Sequence, residues 1–117
     1  MTLVELWLRA FVVTAAVELA VGVPLLAAPH SRARRAAAVL FANLASHPVL
    51  WFVLLRVGWP YELRHLVGEA WAIGVETGIY KLVFPTVTWR RVAAVSLLAN
   101  GASLAVGLGL RALGVVI

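Results

Sequence analysis

Four apolar stretches, Leu6–Ala28, Ala36–Leu55, Leu66–Phe84 and Val92–Leu110, take up most of this chain. Each is close to the roughly 20 residues that carry an α-helix across a bilayer core. The segments between them have ten residues or fewer, which leaves no room for a separate soluble domain. The chain is 63% hydrophobic with a mean hydropathy of +0.98, and only 13% is charged. A soluble domain of this length needs far more polar surface. No ten-residue alternating pattern recurs, which argues against a membrane β-barrel. The expected architecture is all-α: a four-helix transmembrane bundle forming one integral membrane domain over residues 1–117.

The first stretch is a poor signal peptide. No basic residue precedes its apolar run, and Arg9 and Glu18 lie inside it. Absence of cysteine rules out disulfides, thiolate metal sites and cysteine nucleophiles. The net charge of +5 and pI near 11.2 come from arginines beside apolar helices, where anionic lipid headgroups explain them better than nucleic acid does. Arg32, Arg34, Arg35, Lys81, Arg90 and Arg91 fall on one side; Arg9, Arg56, Arg64 and Arg111 fall on the other. The positive-inside rule then puts the first and third loops in the cytoplasm and both termini outside.

The chain also says one thing twice. Val17-Glu18 is followed by Ala42-Asn43-Leu44-Ala45-Ser46, and Val75-Glu76 by Ala99-Asn100-Gly101-Ala102-Ser103. The Glu-to-Asn separation is 25 residues in the first half and 24 in the second. Pro29 before Arg34-Arg35 is echoed by Pro85 before Arg90-Arg91. Two tandem helical hairpins, about residues 1–58 and 59–117, would share one orientation in the membrane and be related by an axis along its normal.

Helical rise sets the depth of the polar groups. Glu18 lies roughly 15 Å from the first-loop end of its helix, and Asn43 roughly 10 Å from that same end. Glu76 and Asn100 repeat the arrangement, each about 12 Å in from the third loop. All four therefore occupy one slab near the middle of the bilayer, on its cytoplasmic half. Ser96, Asn100 and Ser103 share a helix face, as do Asn43 and His47, and Glu69 and Glu76. The expected site is an ion- or proton-binding group of Glu18, Glu76, Glu69 and His47, supported by a polar seam of Asn43, Asn100, Ser96 and Ser103.

Each element also has a structural reading. The asparagines can simply join helices, and Ser46, Ser96, Ser103 and the neighbouring alanines can allow close helix approach. Gly74-x-x-x-Gly78, with Gly101, Gly107 and Gly109, reads as packing. Pro48 frees the carbonyl of Leu44 and is expected to bend the second helix. Trp7, Trp59 and Trp89 are placed at the interfaces, whereas Trp51 and Trp71 pack deeper. The glutamates resist this treatment. A deep carboxylate is costly unless it is paired or protonated, and no lysine or arginine lies at that depth. Glu18 and Glu76 can share a proton or hold a cation; a protonated structural hydrogen bond is the other reading.

No glycine-rich nucleotide loop, His-Glu-x-x-His or Gly-x-Ser-x-Gly is present, and there is no aspartate. An enzyme is not expected, nor is a cofactor. His30 and His65 fall in loops or at helix ends, which leaves heme without a second ligand at the depth of His47. The spacing of Glu18, Glu69, Glu76 and His47 permits a divalent metal and does no more than permit it.

Phe41-Ala42-Asn43-Leu44-Ala45-Ser46-His47-Pro48, Glu69-Ala70-Trp71-Ala72-Ile73-Gly74-Val75-Glu76 and Ser96-Leu97-Leu98-Ala99-Asn100-Gly101-Ala102-Ser103 carry a resemblance. With them the chain resembles a loose group of small bacterial polytopic inner-membrane proteins of unknown function. The resemblance covers the second to fourth helices. It implies a bacterial origin and a polytopic fold, and no activity. The four-helix size is also similar to that of small multidrug transporters with one embedded glutamate. Here the carboxylate is duplicated and the motif around it is missing. Proton- or cation-linked transport is the leading expectation, with a homodimer or a larger complex to complete the path. The alternative is a non-catalytic accessory subunit. The lipid bilayer is the one sure partner, and nucleic acid is not expected.

Overall fold

The computed structural model describes residues 1–27 and 29–117; the expected end of the first stretch at Ala28 lies outside the described residues. Four α-helices are present among the described residues: α1 (Leu3–Leu26), α2 (Arg32–Phe52), α3 (Tyr61–Val83) and α4 (Trp89–Ala112). A short 3-10 turn, Leu54–Arg56, follows α2. No strand occurs among the described residues. Each helix packs against its neighbours in sequence, and α4 closes the ring against α1. The diagonal pairs do not touch through their backbones among the described residues. The bundle is 41 Å along its longest axis, about the thickness of a bilayer with its headgroups.

All four helices begin earlier than the apolar stretches do, three of them at a capping side chain rather than where hydropathy rises. Thr2 and Glu5 form a reciprocal capping box, with Glu5 N–H donating to Thr2 Oγ1 at 3.2 Å and Thr2 N–H to Glu5 Oε2 at 2.6 Å. Ser31 caps α2 by accepting from Arg34 N–H, and Thr88 caps α4 by accepting from Arg91 N–H, both at 3.2 Å. Pro60 precedes α3, which starts at Tyr61 rather than Leu66. α2 continues through Pro48 to Phe52 before giving way to the 3-10 turn.

Three arginines in the first turns of α2 and α4 have a use that charge counting alone misses: they cap the C-termini of other helices. Arg91 donates through Nε and Nη2 to Leu25 O at 3.0 and 2.7 Å, Arg34 Nη2 to Val83 O at 3.2 Å, and Arg35 to Val23 O. These carbonyls have no partner inside their own helices and carry the negative end of the helix dipole. Lys81 Nζ ties down the third loop through Pro85 O and Val87 O.

Polarity is inverted relative to a soluble protein. Leu82 is 83% exposed, Leu66 70% and Phe41 61%, while Glu18 and Ser96 are 0% exposed. α1, the segment Arg32–Arg56 and α4 are each long and apolar enough to cross a membrane. α3 differs from the expected fourth span. It is long enough but carries Glu62, Arg64, Glu69, Glu76 and Lys81. Packing between α2 and α4 compensates, since it buries Glu76 and half-buries Glu69. At the Ser31/Thr88 end the interior is mainly apolar: Leu26, Val39, Ala42, Tyr80, Phe84 and Val92 pack together, with the Tyr80 hydroxyl buried and unpartnered among them.

Among the described residues, Gly74-x-x-x-Gly78 packs against no other helix of this chain. A Cβ at Gly74, Gly78, Gly101 or Gly109 would meet nothing within 4 Å. The close approaches are at Gly22, 3.1 Å from Val39 Cγ2, and Gly68, 3.0 Å from Leu50 Cδ2. Trp59 and Trp89 are exposed and Trp7 is half-buried against Phe11 and Phe52, with ring centroids 5.4 and 5.5 Å away, whereas Trp71, expected to pack, is 41% exposed.

Candidate functional site

Asn43 and Asn100 organise the centre of the bundle. One Nδ2 hydrogen of Asn43 goes back to Val39 O at 3.0 Å, which holds the side chain against its own helix. The other reaches Glu18 Oε2 on α1 at 2.8 Å. Asn100 repeats this, with Ser96 O at 2.9 Å and Glu76 Oε2 at 2.5 Å. Within each hairpin, then, a carboxamide clamps a carboxyl.

The serines join the hairpins crosswise. Ser46 Oγ on α2 donates to Glu76 Oε1 on α3 at 2.9 Å, and Ser103 Oγ on α4 to Glu18 Oε1 on α1 at 3.1 Å. Every carboxyl oxygen of the pair thus faces one hydrogen-bonding group, and the single Ser103 hydroxyl proton is shared between Glu18 Oε1 and Asn100 O, which lies 3.0 Å away. Because α4 lies against α1, a bond between residues 85 apart in sequence closes the ring. Glu18, Glu76, Asn43 and Asn100 are all no more than 4% exposed. Among the described residues, every arginine side-chain hydrogen bond goes to a backbone carbonyl or a histidine ring, and none reaches these acids.

A cavity of about 250 Å³ descends to this pair from the opposite end of the bundle to the apolar cluster. Tyr61, Arg64, His65 and Arg111 stand around its mouth, Glu69 and His47 line it part-way down, and Glu18 and Glu76 form its floor. The structure thus gathers Glu18, Glu76, Glu69, His47, Asn43, Asn100 and Ser103 around one space. Ser96 is the exception among the expected seam residues. It is buried, but its hydroxyl donates to Ile73 O at 3.0 Å and pins α4 to α3.

His47 and Glu69 share the cavity without a hydrogen bond between them. The His47 ring meets Phe11 edge-on at 5.6 Å between centroids, and its Nδ1 is buried without a partner. Asn43 Oδ1 is likewise buried and unpartnered. Among the described residues, no group of three or more acids and histidines is placed to hold a metal ion.

Ser46 is the residue whose part the sequence reading missed. Its small side chain reads as packing, yet it is a carboxyl donor. The signal was present in Asn43-x-x-Ser46 and Asn100-x-x-Ser103, which match position for position. The mouth residues Arg64 and Arg111 carried no such signal. No protein family, curated protein or solved structure matches the chain.

Proposed function

We propose that this chain is a four-pass integral membrane domain that binds a proton or small cation at the Glu18–Glu76 pair as one step of a transport cycle. One observation carries the reading: a buried pair of carboxyls sits at the floor of a cavity that reaches one end of the bundle, while a hydrophobic cluster fills the other. Intramembrane carboxyls that face a cavity are the usual stations for ions and protons in membrane proteins. A cavity open on one side only is also what one state of an alternating-access cycle requires.

The same reading takes the two hairpins as tandem repeats. Asn43–Glu18 and Asn100–Glu76 are equivalent bonds, and so are Ser46–Glu76 and Ser103–Glu18. Arg34 on Val83 O and Arg91 on Leu25 O form a third such exchange, at the closed end. All obey one alignment, in which α1 matches α3 at a shift of 58 residues and α2 matches α4 at a shift of 57. The repeats are set in a bacterial inner membrane, with both termini outside and the apolar seal toward the cytoplasm. A second copy or a partner subunit would complete a path across the seal.

A second reading has its own support. Because all four carboxyl oxygens already face hydrogen-bonding side chains, the centre also works as a hydrogen-bonded lock. In that case the chain is a non-catalytic accessory subunit that orders helices of a larger assembly. Purified protein in proteoliposomes, challenged in turn with gradients of protons, sodium and potassium, separates the two. Flux of at least one ion above that of empty vesicles supports transport, and no flux of any of them favours the lock.

A further inference from the structure

The outer half of the cavity breaks the matched pattern of the floor. At the shift that aligns Glu18 with Glu76, Glu69 faces Phe11, and at the shift that aligns Asn43 with Asn100, His47 faces Leu104. Whatever the symmetric floor binds, the space above it is built for something with unlike ends.

Its inner part offers acceptors. Glu69 presents a carboxyl, and Asn43 Oδ1 has no donor although its residue is only 1% exposed. His47, 6% exposed, adds an unpartnered Nδ1. A bare metal ion is a poor occupant, since among the described residues no three acids and histidines converge on one point. An ammonium group suits the same set better, because it brings three N–H donors to separate acceptors.

The mouth has the opposite character. Arg64 and Arg111 both line it, and Arg64 Nε is buried without a partner. Guanidinium groups in this state bind a carboxylate through paired hydrogen bonds. Between the two ends the wall is apolar, with Leu50, Trp51, Leu104 and Leu108. Along α3, Arg64 and Glu69 differ by about 7.5 Å in height. That is close to the roughly 7 Å spanned by two extended residues.

We propose that this cavity binds an organic zwitterion with separated charges, its ammonium among Asn43, His47 and Glu69 and its carboxylate on Arg64 and Arg111. The proposal rests on the reading of the cavity as a substrate path and names the class of substrate. The test is equilibrium binding by calorimetry on the full chain in lipid nanodiscs, with 6-aminohexanoate, hexylamine, hexanoate and glycine as probes. 6-Aminohexanoate binds tightest, and loss of either charged end weakens binding by about tenfold or more. Arg111→Gln, at an exposed position that does not threaten folding, removes most of the advantage of 6-aminohexanoate over hexylamine. Glu69→Gln weakens 6-aminohexanoate and hexylamine alike and leaves hexanoate unchanged. Hexylamine binding as tightly as 6-aminohexanoate overturns the proposal, as does the failure of every probe to bind the parent. Ion flux measured without any organic ligand reports on the Glu18–Glu76 reading separately, so the two can fail independently.

Discussion

Ser103 donates its hydroxyl to Glu18 Oε1 at 3.1 Å, across 85 residues of sequence and between the last helix and the first. With the equivalent bond from Ser46 to Glu76 it makes each hairpin depend on the other for half of its carboxyl solvation. Hydrogen bonds between membrane helices are individually modest, so Ser46→Ala and Ser103→Ala should each lower stability by about 0.6 kcal/mol. Asn100→Leu should cost more, about 1 kcal/mol or above, because it leaves Glu76 Oε2 and Ser96 O without their shared donor. Unfolding titrations in mixed micelles measure these differences.

Glycine substitutions should divide by contact rather than by motif. At Gly22, a methyl group would meet Val39 Cγ2 at 3.1 Å, and Val39 is fully buried with a stiff β-branched side chain. Gly22→Ala should therefore destabilise by about 1–3 kcal/mol, as overpacking does. Gly68→Ala should cost less, because Leu50 Cδ2 is the far end of a more flexible side chain. Gly74→Ala and Gly78→Ala meet open space, and a helical alanine in place of glycine should stabilise by up to about 1 kcal/mol. A loss of stability in the last two would mean that this face packs against a second molecule.

The topology is testable with single cysteines in a chain that has none of its own. Ala33→Cys and Thr86→Cys sit in exposed positions at the closed end and remove neither a charge nor a helix cap. They should resist a membrane-impermeant thiol reagent in intact cells, whereas Leu113→Cys, at an 81% exposed position, should react. The reverse pattern would put the termini in the cytoplasm.

The helices and the inner ring of the site were legible because both depend on local sequence. Hydrophobic length gives the helices, and a shared depth brings Glu18, Asn43, Glu76 and Asn100 to one level. The partner of each serine was not legible, because it depends on the order of helices around the bundle. Nothing in the segment around Ser103 announces that α4 lies against α1. The glycine motif did not say what it packs against for a related reason: Gly74 and Gly78 share a helix face, and only the neighbours of α3 decide whether the bundle itself buries that face. Hydropathy also set the helix starts too late, because Ser31, Pro60 and Thr88 begin α2, α3 and α4 within polar sequence. The arginines gave a side of the membrane but not their bonds to Leu25 O and Val83 O, which join segments far apart in the chain.

Replacement of the central carboxyls by amides tests the account most directly. In Glu76→Gln the side-chain oxygen can still accept from Asn100, and the new amide can donate to Ser46, whose hydroxyl rotates to accept. Glu18→Gln has the same options with Asn43 and Ser103. Both variants should therefore unfold within about 1 kcal/mol of the parent. Neither can gain and lose a proton or neutralise a cation at that site. The measurement is ion flux in proteoliposomes, taken beside the unfolding curve of the same preparation. The account predicts parental stability with flux abolished in Glu76→Gln and Glu18→Gln; parental stability with parental flux in both would contradict it and leave the carboxyls as structural hydrogen-bond acceptors.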